Sequence, residues 1–405
     1  MKILLIAATT GYQVREFGDA ARRMGIDLVL ATDRCHVLDN PWGDDAFPVR
    51  FEDPAANLDA LAARGPFDGI VALGDHPAYV AALAAEKFGL PFSSPQAVAA
   101  SKDKYIARER FRAAGLLVPE FRRLPLDSDP CQASRSAHYP CVLKPLGLSG
   151  SRGVIRANSP GEFEAAFGRI KKLLEWEHED ALQVEDFIPG REYALEGLVT
   201  GGRLQVLALF DKPDPLDGPF FEETIYLTPS REPIDIQAAI HKATQRAVEA
   251  LGLVQGPIHA EMRVNREGVW MLEVAARPIG GLCSRVLKFE PAASLEEVIL
   301  RHALGEDLRH LRLAAGAHGV MMIPIPRAGV YAGVDGLERA KEVTGVEDIV
   351  IAAKEGQKLL PLPEGNSYLG FIFARGPSPG SVEVALRNSH AQLEFRLTQA
   401  LPVVR

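Results

Sequence analysis

Two glutamates, Glu261 and Glu273, sit among apolar neighbours in "IHAEMRVNREGVWMLEVAARPIGG", residues 258–281. The stretch reads as two strands joined by a turn. A three-residue loop, Arg266-Glu267-Gly268, suits it, because such loops favour glycine in the left-handed region at the third position. In that register Val264, Met262 and Ala260 face Trp270, Leu272 and Val274, so one side is uniformly apolar, and an apolar side fixes strand register. On the other side Arg263 meets Met271, Glu261 meets Glu273 and His259 meets Ala275. Facing carboxylates repel at a Cβ separation of about 4.5–5.5 Å. A divalent cation between them removes the conflict and, with phosphate oxygens and water, makes a magnesium site. Hydration, with relief from Arg263, also removes it, and the local pattern alone does not choose. Arg277 keeps the parity of Glu273 before Pro278 ends the strand. A guanidinium there can grip a phosphoryl group or carboxylate at two points, although a solvated strand-end arginine is the plainer reading of Arg277 by itself.

Three further stretches carry weaker signals. "CVLKPLGLSGSRGV" puts Lys144 near a strand end, ahead of Gly147, Gly150 and Gly153 with Ser149 and Ser151 between them. Glycines let a backbone approach an anion, and successive N–H groups form phosphate nests. The stretch is not a Walker loop, and taken alone a glycine-rich hairpin turn explains it. Lys104, in "SKDKY", reads by itself as a solvated helix lysine. "QVEDFIPGREYALEG" has Glu185 on a strand, a Pro189-Gly190 turn and then Glu192. A strand entering a turn can offer backbone groups to a purine, and a nearby carboxylate can hold a ribose.

These residues need a scaffold, and 405 residues suffice for two to four domains. Residues 1–95 alternate strand ("KILLIAA", "IDLVLAT", "FDGIVALGD") with helix, which predicts a parallel sheet covered by helices. The first strand is not followed by G-x-G-x-x-G, which disfavours a nicotinamide oxidoreductase. Residues 120–184 form a small mixed unit around the glycine loop, and from about 306 short strands and Gly/Pro turns suggest a separate α+β domain. With 47% hydrophobic and 24% charged residues the composition is that of a globular protein, and a net charge of −8 argues against nucleic acid as an obligatory partner. Cys35, Cys131, Cys141 and Cys283 show no zinc-like spacing and read as reduced cytosolic thiols. "MKILLIAATTG" is too short to span a bilayer, so no membrane partner is expected.

The order of the signals is more specific than any one of them: helix lysine, lysine before a glycine loop, acidic hinge, paired glutamates, arginine. Over residues 1–305 this sequence resembles the ATP-grasp superfamily, on "SKDKYIARERFRAAGLLVP", "YPCVLKPLGLSGSRGV", "VEDFIPGREYALEG" and "HAEMRVNREGVWMLEVAARPIGG". Within it the chain looks most like the L-amino acid ligases, which make dipeptides. "LEVAARPIGG" is similar to their metal-strand segment, and "GVMMIPIPRAG", "GFIFARG" and "SVEVALRNSHAQLEF" resemble their final domain. Ala275 stands where carboxylase-type members place an asparagine, which lowers the odds of a biotin-carboxylase-like enzyme.

The resemblance implies an α/β ATP-grasp architecture. It would comprise a Rossmann-like parallel-sheet domain (1–95), a two-lobed ATP-grasp domain (96–305) with a lid at 120–184, and an α+β C-terminal domain (306–405). It implies ATP with Mg²⁺, or Mn²⁺ in its place. Lys104 and Lys144 would bind the phosphates, under a flexible loop of Ser149, Gly150, Ser151 and Gly153. Glu185 and Phe187 would flank adenine, Phe187 through its backbone, and Glu192 would hold the ribose. Glu261 and Glu273 would bind two ions. Arg277 would face the phosphoryl group and the carboxylate substrate, acting with Lys144 in catalysis. The implied activity joins a small-molecule carboxylate to an amine through an acyl phosphate, in a cytoplasmic homodimer. His259, His76 or Glu222 could accept the amine proton, with a structural role the plainer reading of each. A purine-biosynthetic or carboxylase-type ligase and a non-catalytic ATP-binding protein are the alternatives.

Overall fold

A computed structural model describes residues 1–8, 11–33, 46–177 and 179–399 (for Trp176, the backbone only). Cys35 and the Thr9-Thr10 part of the first strand–helix turn lie outside these residues. Strand Lys2–Ala7 runs parallel to Asp27–Thr32 on one side and to Gly69–Leu73 on the other. Its side chains are buried on both faces from Ile3 onward, as a parallel strand covered by helices requires. Helix Val14–Met24 ends at Gly25, whose φ of 65° closes the last turn in a conformation that suits glycine. Helix Asp75–Phe88 starts where Gly69–Leu73 ends. That puts Asp75 at the carboxyl edge of the sheet, where open α/β sheets receive ligands.

An eight-stranded antiparallel sheet forms the centre, in the order Gly268–Ala275, Gln255–Asn265, Arg191–Thr200, Arg203–Asp211, Ile225–Thr228, Ala317–Ile323, Gly370–Gly376, Val346–Ile351. It crosses the expected boundary at residue 305. The C-terminal strands join the central sheet: Ala317–Ile323 pairs with Ile225–Thr228 and buries Met321 and Ile323 with Ile225 and Leu227 in one cluster. Helices Pro95–Lys102, Lys104–Ala113 and Ile234–Leu251 cover the first half of the sheet through a second cluster that includes Tyr193, Leu195 and Val199. Alternation then sends Glu192, Ala194 and Glu196 to the opposite face. The strand pairs Glu196–His259, Ala194–Glu261 and Glu192–Arg263 add their side chains to that face. No helix of the described residues is long and apolar enough to cross a membrane.

Residues 120–186 form a smaller antiparallel sheet, ordered Phe121–Pro125, Ala181–Asp186, Cys141–Pro145, Ile155–Ala157, with helices Pro130–Arg135 and Pro160–Leu173 against it. One fully buried arginine ties it to the central sheet. Arg108, on helix Lys104–Ala113, donates to Glu185 of the small sheet at 3.1 Å and to the Leu272 carbonyl of the large one at 2.6 Å. Burial works to raise the Glu185 carboxyl, but Arg108 and Lys144 overcome it and bring it down to about 2. Removing Arg108 leaves Glu185 with Lys144 alone and takes the donor from the Leu272 carbonyl. Arg108→Met should therefore lower unfolding free energy by about 1–3 kcal/mol, read as a fall in the urea midpoint; an unchanged midpoint would show that Arg108 does not brace the two sheets.

Candidate active site

A cavity of about 330 Å³ opens where the parallel sheet, the small sheet and the central sheet meet. The hairpin 255–275 forms its floor. Its turn differs from the expected one: Asn265 pairs with Gly268, so the loop is the two residues Arg266-Glu267. The Asn265 side chain makes this turn by accepting from the Glu267 N–H at 2.9 Å and from the Trp270 indole at 3.0 Å. Near the turn every pair is thus shifted by one: Val264 faces Val269, Arg263 faces Trp270, and Met262 faces Met271. A bulge between Met262 and Glu261 takes up Leu272 and restores the expected pairing beyond it, with Glu261 opposite Glu273 and His259 opposite Ala275. The bulge keeps Met262 and Met271 buried on the apolar side and releases the Leu272 carbonyl to Arg108.

Lys104, Lys144, Ser149, Gly150, Ser151, Glu185, Phe187, Glu192, Glu261, Glu273 and Arg277 all line this cavity. Gly153 does not; its N–H donates to the Pro363 carbonyl, and a Cβ there would lie 2.7 Å from the Pro145 ring. Its glycine is a packing requirement. At the hinge Gly190 has φ 135°, and a Cβ would stand 2.5 Å from the Val264 carbonyl oxygen, so only glycine lets the turn cross the hairpin. The Lys144 ammonium bonds the Glu185 carboxylate. Lys104 donates to the Leu148 carbonyl and lies 4.0 Å from Glu273. The hairpin strand ends at Ala275, short of Arg277, which donates to Asp75 at 3.1 Å at the start of helix Asp75–Phe88.

Of the three candidate bases, only His259 reaches the cavity. Burial opposes its charge, but Glu196, 2.6 Å from Nδ1, and Glu261 lift its pKa to about 9. Its Nδ1 is committed to Glu196, and the two carboxylates favour its protonated form, which argues against a role as base. His76 contacts Lys102 at 3.0 Å instead, and the Glu222 carboxyl is pushed up by burial outside the cavity lining.

Lys212, Glu223, Tyr226 and Asp75 escape the sequence reading, and Arg263, expected to relieve the Glu261–Glu273 pair, bonds Glu192 instead. Lys212 donates to Glu192 at 2.9 Å, to Glu261 at 2.7 Å and to Glu223. Burial lowers the Lys212 ammonium, but the three carboxylates hold it well above its ordinary range. Arg263 donates to Glu192 at 2.9 Å and to the Ile188 and Leu216 carbonyls. The Glu192 carboxylate is therefore engaged on both oxygens. A signal existed in "FDKPDPLDGPFFEET", where an isolated lysine and a Glu-Glu pair flank a Pro/Gly loop, but nothing in the spacing says which acid turns inward.

Hard oxygen donors suit Mg²⁺, and the floor supplies them. Glu261 and Glu273 are cross-strand partners facing the cavity. Among the described residues one group has three carboxylates with ligand atoms within 4.8 Å of one another: Glu192, Glu223 and Glu261.

The ATP-grasp N-terminal domain family matches residues 18–92, the ATP-grasp domain family residues 137–286, and the L-amino acid ligase C-terminal domain 2 family residues 321–398. An uncharacterized protein of Sinorhizobium fredii is 22% identical over 98% of this chain and 83% of its own. Alanine–anticapsin ligase of Bacillus subtilis is 29% identical over 49% of this chain, and the match spans 46% of that enzyme, about half its length. The crystal structure of an L-amino acid ligase from Bacillus licheniformis superposes with a TM-score of 0.84 at 26% identity, over 98% of this chain and 99% of that one. The chain belongs to the ATP-grasp superfamily, and in whole-chain architecture and C-terminal domain it is similar to the superfamily's L-amino acid ligases.

Proposed function

We propose that the protein is an ATP-dependent carboxylate–amine ligase that joins two amino acids through an acyl phosphate, releasing ADP and phosphate. The observation that carries this reading is one cavity holding two lysines, two facing carboxylates and Arg277. A carboxylate is a poor electrophile until one oxygen becomes a good leaving group, and ATP can supply the phosphoryl group. An anionic nucleophile must then approach an anionic triphosphate, so catalysis rests on fixed positive charge and positioning.

Lys144 and Lys104 flank the glycine loop and would meet the phosphates there. Lys144 would trade part of its bond with Glu185 for that contact. Glu261 and Glu273 would hold Mg²⁺, which when bound supplies Lewis-acid charge to phosphate oxygens. Phe187 and Ile188, at the hinge end of the cavity, would take the adenine, with Glu192 at the ribose. Arg277, held by Asp75, would orient the substrate carboxylate toward the phosphate end. Closure of the small sheet would exclude water from the acyl phosphate. With His259 committed to Glu196, the amine proton would leave through substrate or solvent.

The reading predicts phosphate release that needs both an acid and an amine. A screen of amino acid pairs with ATP should yield ADP and phosphate in step with the ligated product; AMP and pyrophosphate as products would overturn it. Glu273→Gln, which keeps shape and removes charge, should lower kcat by about 10²–10³-fold, the scale seen when one electrostatic contact to a transition state is lost. Full activity in that variant would remove Glu273 from the metal site.

A further inference from the structure

The nest formed by Glu192, Glu223 and Glu261 has the donor set of a divalent-cation site, and a lysine fills it. Its three ligand atoms lie within 4.8 Å of one another, and the Lys212 ammonium sits 2.9 Å from Glu192 and 2.7 Å from Glu261 while also bonding Glu223. A cation at usual carboxylate distances of about 2.1–2.5 Å would need the space that the ammonium occupies. Lys212 is absent from the lining of the main cavity, whereas all three of its carboxylate partners line it. The lysine arrives from behind, through a second hollow walled by Asp211, Pro213 and Arg231. Its side chain is 3% exposed, and its ammonium lies 5.1 Å from the Tyr226 ring centroid. Glu261 thus spends one oxygen on Lys212, with His259 3.6 Å from that same oxygen, and this orientation leaves its other oxygen for the side facing Glu273.

We propose that Lys212 is a positioning residue: its ammonium is the fixed cation of the three-carboxylate nest, aims Glu261 at Glu273, and keeps a divalent ion out of the nest. The proposal rests on the functional reading only in taking Glu261 and Glu273 as the metal pair.

Its test is the number of Mn²⁺ ions bound per chain, measured by equilibrium dialysis of the full-length protein without nucleotide. Lys212→Met keeps the length of the side chain and removes its charge. This variant should bind one Mn²⁺ more than the wild type, and the double variant Lys212→Met/Glu223→Gln should lose that extra ion. Equal counts in wild type and Lys212→Met would overturn the proposal, as would an extra ion that survives in the double variant. If Lys212→Met is unfolded without metal, its thermal midpoint becomes the readout. A saturable rise with Mn²⁺ that Na⁺ at equal ionic strength does not produce, and that exceeds the rise in Lys212→Met/Glu223→Gln, supports the proposal; equal rises in the two variants overturn it. The difference between the chains tests Lys212, and the wild-type count tests the Glu261–Glu273 pair separately.

Discussion

Burying carboxylates on one face of a sheet is the constraint from which the site follows. Glu192, Glu196, Glu261 and Glu273 share that face because strand alternation puts them there. An ionised carboxylate away from water is tolerated only when paired. Around the cavity the acids accordingly have their cations: Lys212 and Arg263 for Glu192, His259 for Glu196, Lys212 for Glu261, and Arg108 with Lys144 for Glu185. Glu273 is the least compensated of the set, with Lys104 at 4.0 Å. The residual negative charge therefore lies where the hairpin strands face the cavity, and that is where a metal ion and a triphosphate would complete the balance.

The same constraint links the domains. Arg108 spans helix, small sheet and hairpin, and Asp75, at the helix start that follows the parallel strand Gly69–Leu73, holds Arg277 just past the hairpin strand. Neither contact is local in sequence. The parallel sheet takes part in the site through the carboxyl ends of its strands, and the central sheet through one face. The small sheet takes part through Lys144 and the loop after it. The fold brings these three to one cavity without any single motif that encodes it.

How much of this was legible follows from the physics of each element. The N-terminal strands and helix Val14–Met24 could be read because apolar runs and a terminal Gly25 are local signals. The facing of Glu261 and Glu273 could also be read, since an apolar face fixes register over several residues. The turn could not. Asn265 closes a two-residue loop with its side chain, and the Leu272 bulge compensates four pairs further along, so two local departures cancel and leave no trace in the pattern. Lys212, Glu223 and Arg108 were invisible for a different reason. Their partners lie on other strands, and one-dimensional spacing carries no record of which side chains converge. The continuity of the central sheet past residue 305 was missed likewise, because Ile225–Thr228 meets Ala317–Ile323 only across a long loop closure.

The central claim is chemical: a carboxylate is activated by phosphoryl transfer in this cavity. Oxygen labelling reads it directly. With an acid–amine pair that supports turnover, the acid is supplied with ¹⁸O in its carboxylate, and the released phosphate is examined by mass spectrometry. An acyl phosphate predicts one ¹⁸O transferred to phosphate for each product formed. Phosphate free of the label, at the same turnover, would contradict the account.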